Sequence, residues 1–295
     1  MVAPAKAAGA LLATSPYASR RQTKVPGWAG LTAWDVLFNN LSLGLFLVTA
    51  LGMLVRPAWF ASTATAAYIV AFVLVLVDLS LLVVDLGDPP RFTHMLRVAK
   101  RESPMSVGTW SLSGYAALLF LVCIVSVAGW EDVTRVLAAV TLIPAAGGVL
   151  YKGVLFSATS QAGWRASRWL GALMAESAVL VGAALLLAIL VLSHQGGGEG
   201  ASAVRAALAV LLVLQAVLLI ATALEVRRDV PGRYGPLAGL VVWIGVLAVG
   251  IVVPLELLLL GNLFQIVAAL LVVAAAPVLR YALVFLPRDG RKEPS

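Results

Sequence analysis

The feature that most constrains this chain is a series of long apolar segments. Eight of them follow one another, each about 20 residues or longer, at about 32–54, 61–86, 107–128, 133–156, 168–193, 203–225, 236–258 and 262–286. A helix of that length, rising 1.5 Å per residue, crosses a hydrocarbon core of about 30 Å. The strands of a membrane barrel would alternate in polarity, and these segments do not. The sequence therefore predicts an all-α polytopic membrane protein with eight transmembrane helices.

The composition leaves little sequence outside the membrane spans. Of the 295 residues, 61% are hydrophobic and 12% are charged, so we expect no separate soluble domain. We divide the chain into an N-terminal tail at 1–30, an eight-helix membrane domain at 31–286 and a C-terminal tail at 287–295. The first 30 residues carry no clear cleavage site before the first long span, so we interpret them as a tail and not as a signal peptide.

The basic residues predict the orientation of the chain. The net charge is +7, and the basic side chains lie in loops and tails beside apolar spans, which favours membrane topology over nucleic-acid binding. With eight spans, 18 of the 21 Lys and Arg residues lie on the side of the N-terminus, and the other three are Arg56, Arg135 and Arg205. Because basic loops are retained in the cytoplasm, we expect both termini to be cytoplasmic.

Several cofactors are disfavoured by what the sequence lacks. Haem between helices needs axial histidines inside the spans, but His94 and His194, the only histidines, lie in or at the edge of loops. Cys123 is the only cysteine and cannot by itself hold an iron–sulfur cluster or a Cys-rich zinc site. No Gly-rich phosphate loop of the Walker type is present. We therefore expect no haem, no iron–sulfur cluster, no metal site and no ATP-driven transport in this chain.

Ionisable residues within the spans are functional candidates, because each costs about 2.5–3.5 kcal/mol on insertion scales. Asp78 and Glu176 lie deepest, and Glu256 follows a helix-bending proline, Pro254. Together with Asp85 these three acids are the candidate proton path. Residues near span ends have an alternative explanation, since snorkelling or pairing with loop charges accounts for such positions; they are Asp35, Asp85, Glu225 and Arg280.

The end of the fourth span offers the best candidate for a ligand pocket. Tyr151, Lys152 and Gly153 are adjacent there, and Asn39 and Asn40 of the first span lie near the same side of the membrane. Phenol, ammonium and amide groups can donate hydrogen bonds to a quinone carbonyl, and apolar walls can hold its ring and tail. The alternative is that Tyr151 is an interfacial anchor, as many tyrosines near membrane surfaces are.

Two strings of residues resemble a known family. Residues 85–92 (Asp-Leu-Gly-Asp-Pro-Pro-Arg-Phe) followed by 103–110 (Ser-Pro-Met-Ser-Val-Gly-Thr-Trp) are similar to a signature of the NrfD/PsrC family, the quinone-interacting membrane subunits of polysulfide reductase-like respiratory complexes. Residues 151–153 resemble the family's Tyr-Thr-Gly, with Lys152 in place of the threonine. Further positions fit the pattern: Trp164, Gly250, Pro254, Arg280 and Tyr281.

The resemblance implies a fold of two four-helix bundles in a prokaryotic cytoplasmic (inner) membrane. It implies a menaquinone or ubiquinone site, with Tyr151 as the donor to the quinone carbonyl and Asn39 or Asn40 as its partner. It also implies an iron–sulfur, ferredoxin-like partner and a catalytic oxidoreductase subunit, so that this chain would not be catalytic alone. The signature loop would help to frame the site, through Gly87, Pro89, Arg91 and Phe92.

These inferences lead to a membrane anchor that exchanges electrons between quinone and an adjacent iron–sulfur subunit, with proton translocation as a further possibility. Asn39 and Tyr151 both lie on the N-terminal side, so the partner is expected to be cytoplasmic. The alternative hypothesis is a proton-coupled transporter that works without a redox partner. A third is a purely structural anchor, which quinone binding would distinguish.

Overall fold

The computed structural model describes residues 30–85, 91–97, 99–158, 164, 167–229, 243–260 and 262–285. Its elements, in chain order, are α1 (Gly30–Val55), α2 (Pro57–Asp85), α3 (Arg91–Arg97), α4 (Pro104–Val127), α5 (Glu131–Ser157), α6 (Leu170–Leu192), α7 (Glu199–Asp229), a π-helix (Trp243–Val252), α8 (Val253–Leu260), a short 3-10 helix (Asn262–Phe264) and α9 (Gln265–Val284). No strand occurs among these residues, which confirms the all-α prediction.

Seven of these helices are long and apolar enough to cross a membrane: α1, α2, α4, α5, α6, α7 and α9. The remaining predicted span is formed by the π-helix and α8, which contain a shorter apolar stretch, Ile244–Leu260. The eight segments together agree with the predicted multi-pass membrane protein. Successive spans run in opposite directions, so α1 begins on the side where α2, α5 and α9 end. We call this the N-terminal side.

The helices pack as two bundles of four, as the resemblance implied. The first bundle contains α1, α2, α4 and α5, and the second contains α6, α7, the π-helix with α8, and α9. The two bundles are joined chiefly along α1 and α6. These two helices are the most enclosed, since 72% and 61% of their most apolar windows are buried, against 28–44% in the other long spans. Functional side chains on α1 and α6 therefore lie in the interior of the protein.

Glycine permits the close approach of α1 to α6. A Cβ atom on Gly44 would collide with the backbone carbonyl of Ala178, and a Cβ atom on Gly182 would collide with the backbone of Gly44. Small residues at such crossings let two membrane helices pack backbone against backbone. Because the obstructing atoms belong to the main chain, neither position has room for a side chain.

Local sequence explains two helix boundaries. Ser103 is the N-cap of α4, where its hydroxyl accepts a hydrogen bond from the backbone of Ser106 at 3.4 Å, and Pro104 occupies the first turn. In the seventh span, π-helical geometry ends where α8 begins, beside Pro254. Proline has no N–H to donate, so a change in hydrogen-bond pattern at this point is expected.

Some predicted features lie outside the described residues. They include the tails beyond residues 30–285 and two residues of the signature loop, Gly87 and Pro89. Arg91 and Phe92 begin helix α3, but their side chains are not among those described. The signature loop therefore enters the following account only through the helices that flank it.

Candidate functional site

The buried end of Lys152 organises a group of polar side chains inside the first bundle. Its Nζ atom lies 2.9 Å from Oδ2 of Asp35 and 3.6 Å from Oδ1 of Asp78. Asn39 donates a hydrogen bond from Nδ2 to Oδ2 of Asp78 at 2.9 Å. We call these four residues the charged cluster. The residues with ionisable side chains are almost fully enclosed, with exposed fractions of 3% for Lys152, 5% for Asp35 and 0% for Asp78.

Helix periodicity brings the cluster together. Asp35 and Asn39 are four residues apart on α1 and so lie on the same face. Asp78 lies two turns before the end of α2, and Lys152 lies in the last two turns of α5. Because α2 and α5 both end on the N-terminal side, their side chains meet those from the beginning of α1. The cluster therefore lies in the part of the membrane nearest the N-terminal side.

A second contact connects the same faces of α1 and α2 nearer the surface. The hydroxyl of Thr32 donates to Oδ2 of Asp85 at 3.0 Å. Thr32 lies one turn before Asp35, and Asp85 lies two turns after Asp78. Asp85 is exposed, whereas Thr32 is buried. Polar groups thus extend from the end of α2 towards the charged cluster.

Tyr151 is enclosed beside the cluster. Its ring packs against Gly108 of α4, where a Cβ atom would collide with it, and 8% of the residue is exposed. The Lys152 ammonium lies 5.7 Å from the centre of the Tyr151 ring, within the range of a cation–π interaction. This burial disfavours the interpretation of Tyr151 as an interfacial anchor, because an anchor presents its ring to the headgroup region.

Glycine in the Tyr-Lys-Gly string has a packing role. A Cβ atom on Gly153 would lie 2.8 Å from the Cα atom of Gly171 in α6. The close approach of α5 to α6 at this point holds the two preceding residues, Tyr151 and Lys152, in the interior. Trp164 closes the same side of the protein by donating from Nε1 to the carbonyl of Leu283 at 2.7 Å.

Asn40 provides an unused donor. It is 3% exposed, and its Nδ2 atom has no hydrogen-bond partner among the described residues. A buried amide without a partner loses about 1–3 kcal/mol of hydrogen-bonding free energy. Asn39, in contrast, donates to Asp78. Of the two adjacent asparagines, Asn40 is the one with a donor available to a ligand.

A second polar group lies in the other bundle and contains Glu176, Ser177, Gln215 and Arg280. We call it the second cluster. Arg280 is 2% exposed and donates from Nη2 to the carbonyl of Ser177 at 3.3 Å. Neither carboxyl oxygen of Glu176 has a hydrogen-bond partner among the described residues. Ser177, Gln215 and Arg280 line a cavity of about 20 Å³, enough for one or two water molecules.

The remaining predicted residues lie apart from these groups. Glu256 is exposed on α8, towards the opposite side of the membrane. Glu225 accepts hydrogen bonds from the Ser167 hydroxyl at 3.0 Å and the Arg168 backbone at 2.8 Å, and it forms an ion pair with the Arg168 side chain at 3.3 Å, just before α6 begins. Pairing with a loop residue, the alternative explanation for Glu225, is therefore correct.

The burial of two residues was underestimated from the sequence. For Asp35 and Arg280 the alternative explanation, snorkelling at a span end, does not fit, because both residues are buried. A signal for Asp35 was present, because it shares a helix face with Asn39 and a buried Lys152 requires an acidic partner. For Arg280 the signal is only its fit to the family pattern, because it donates to a backbone carbonyl on another helix, which no residue type reveals.

Comparison with known proteins identifies the family. No curated protein matches the chain. The family described as "Polysulphide reductase, NrfD" matches residues 28–288, which include both bundles, the charged cluster and the second cluster. The chain therefore belongs to the NrfD family of membrane proteins.

Proposed function

We propose that this chain is the membrane-anchor subunit of a respiratory redox complex and that it binds quinone or quinol beside the charged cluster. NrfD proteins are membrane subunits of respiratory oxidoreductase complexes that interact with quinone. The observation that carries the proposal here is the burial of Tyr151 beside the charged cluster, with the Lys152 ammonium 5.7 Å from the centre of its ring. Asn40, which follows Asn39 on α1, adds a buried Nδ2 donor without a partner among the described residues. Menaquinone and ubiquinone both have the carbonyl acceptors that these donors require.

Each residue has a separate task in this proposal. Tyr151 and Asn40 donate hydrogen bonds and orient the head group. A quinone or quinol held there would exchange two electrons and two protons, the electrons with an adjacent iron–sulfur subunit. Lys152 is held by Asp35 at 2.9 Å, so it acts on the head group through its charge and not as a direct donor. Asn39 keeps Asp78 in place.

Protons reach this site from the N-terminal side. Asp85 is exposed, Thr32 connects it to the face of α1 that carries Asp35, and Asp78 lies beyond. We take this side to be cytoplasmic because it holds 18 of the 21 basic residues. The iron–sulfur subunit and the catalytic subunit dock there. Translocation across the whole membrane would additionally use Glu176 and Glu256, which lie in the second bundle.

Removal of one phenol tests the quinone site. In the intact complex, Tyr151→Phe is expected to weaken quinol-dependent turnover about 2- to 10-fold, since one hydrogen bond is worth about 0.5–1.5 kcal/mol. The measurement is the dependence of turnover on quinol concentration. Tyr68→Phe is the matched control, because Tyr68 is also buried in the first bundle and its hydroxyl has no partner among the described residues. Equal turnover in both variants would remove Tyr151 from the site.

Purification tests the role as a subunit. Affinity purification from native membranes in a mild detergent is expected to recover an iron–sulfur protein, a catalytic oxidoreductase subunit and extractable quinone. A colourless chain without partners or quinone, which moves a solute across vesicle membranes, would instead support the proton-coupled transporter.

A further inference from the structure

The charged cluster contains one more carboxyl group than cation. Asp35 and Asp78 are both buried, and Lys152 is the only described cation within 4.0 Å of either of them. If both acids were ionised, the cluster would carry one net negative charge inside the membrane. Uncompensated buried charges cost several kcal/mol, and an acid in that position takes up a proton instead. Charge balance therefore calls for one additional proton.

The hydrogen bonds show where such a proton fits. Of the four carboxyl oxygens, Oδ2 of Asp35 faces the Lys152 ammonium and Oδ2 of Asp78 accepts from Asn39. The other two, both Oδ1 atoms, have no hydrogen-bond partner among the described residues. The two carboxyl groups face the same ammonium, since Oδ2 of Asp35 lies 2.9 Å and Oδ1 of Asp78 lies 3.6 Å from the Nζ atom of Lys152. One proton held between them makes one carboxyl group an O–H donor and leaves the other, a carboxylate, as its acceptor.

We propose that Asp35 and Asp78 form a dyad that shares one proton, with Lys152 as its fixed counter-ion. In this state one acid is a neutral carboxylic acid, the other is a carboxylate, and the ammonium balances the charge. Among the described residues, the other ionisable group beside the cluster is Tyr151 of α5, whose ring centre is 5.7 Å from the Lys152 ammonium. Tyr115 of α4 lies deeper in the bundle, where it is hydrogen-bonded to Ser42. The site binds a proton without any ligand, so it stands independently of the proposed quinone site.

The dyad also has a connection to the surface. Thr32 lies one turn before Asp35 and is hydrogen-bonded to the exposed Asp85. A proton released by the dyad leaves the cluster with a net charge of −1, and uptake of one from the N-terminal side restores neutrality. The dyad is therefore a store of one exchangeable proton.

Infrared spectroscopy of the purified complex tests this proposal. A protonated carboxylic acid has a carbonyl band that is separate from carboxylate bands and shifts in D₂O. The experiment is performed in a Glu176→Gln background, because Glu176 is the other deeply buried acid. We expect one such band, present in the background variant and in a further Asp85→Asn control, and lost in both Asp78→Asn and Asp35→Asn. If Asp78→Asn does not fold, Asp35→Asn still decides the question.

Two outcomes would overturn the dyad. One is absence of the band from the background variant, and the other is survival of the band in either asparagine variant. Lys152→Met is an independent test. Without the ammonium group, a neutral cluster requires one proton on each acid. The band is then expected to double in intensity. Unchanged intensity would show that Lys152 does not set the proton count, and would contradict the proposal even if quinol turnover is lost.

Discussion

The two bundles place charges in their interiors in different ways. In the first bundle, Lys152 lies 2.9 Å from one carboxylate and 3.6 Å from a second. In the second bundle, Arg280 contacts a backbone carbonyl at 3.3 Å, and no ion pair within 4.0 Å joins it to Glu176. Both cations lie near the C-terminal end of the last span of their bundle. Similar positions in the two bundles therefore carry a tightly paired cluster in one and a loosely associated one in the other.

This difference separates two kinds of site. A cation enclosed by two acids is held in one place, so the charged cluster can fix the geometry of a neighbouring ligand such as the proposed quinone. In the second cluster, Glu176 has no hydrogen-bond partner among the described residues, and the other three members line a cavity with space for water, so these side chains have room to rearrange. We therefore expect the first bundle to be sensitive to the loss of any charged partner and the second bundle to be tolerant.

The largest loss of stability is expected for Lys152→Met. Removal of one partner from a buried ion pair typically costs about 3–5 kcal/mol, because the remaining carboxylate must either stay uncompensated or take up a proton. Unfolding can be measured through labelling of Cys123 by a thiol-reactive dye, since this is the only cysteine and it is buried in α4. The double variant Lys152→Met/Asp35→Asn is expected to recover part of the lost stability. No recovery would mean that packing of the lysine stem, and not charge, is responsible.

The helices were easier to predict than the cluster. Hydropathy alone gives all eight spans, because every residue that faces lipid must be apolar, whichever neighbour a helix has. It also identified Asp78 and Glu176, since charges deep in a span have few explanations, and the Tyr-Lys-Gly string at the end of the fourth span identified Lys152. The pairing of Asp35 with Lys152 joins residues 117 positions apart and depends on how α1 and α5 are rotated against each other. The π-helical geometry before Pro254 likewise depends on packing that no periodicity in the sequence reveals.

A smaller loss of stability is expected for Arg280→Met. The substitution removes one hydrogen bond from a charged donor and also removes the cost of keeping an unpaired cation in the membrane. We expect a net loss of stability of about 1–3 kcal/mol. The measurement is thermal unfolding in detergent, with Lys152→Met measured in parallel. A loss as large as that of Lys152→Met would mean that Arg280 and Glu176 are directly paired in the membrane. The contrast between the bundles would then disappear.

The smallest effect is expected for Glu176→Gln. Neither oxygen of this carboxyl group has a hydrogen-bond partner among the described residues, so an amide of the same size loses no hydrogen bond that the structure describes. We expect the stability to change by less than about 1 kcal/mol, in the same thermal measurement. Glu176→Ala is the matched control for packing, because it deletes the side chain and leaves a larger space beside the Arg280 cavity. If the glutamine variant is as unstable as the alanine variant, Glu176 acts through its charge, and the second cluster is an ion pair like the first.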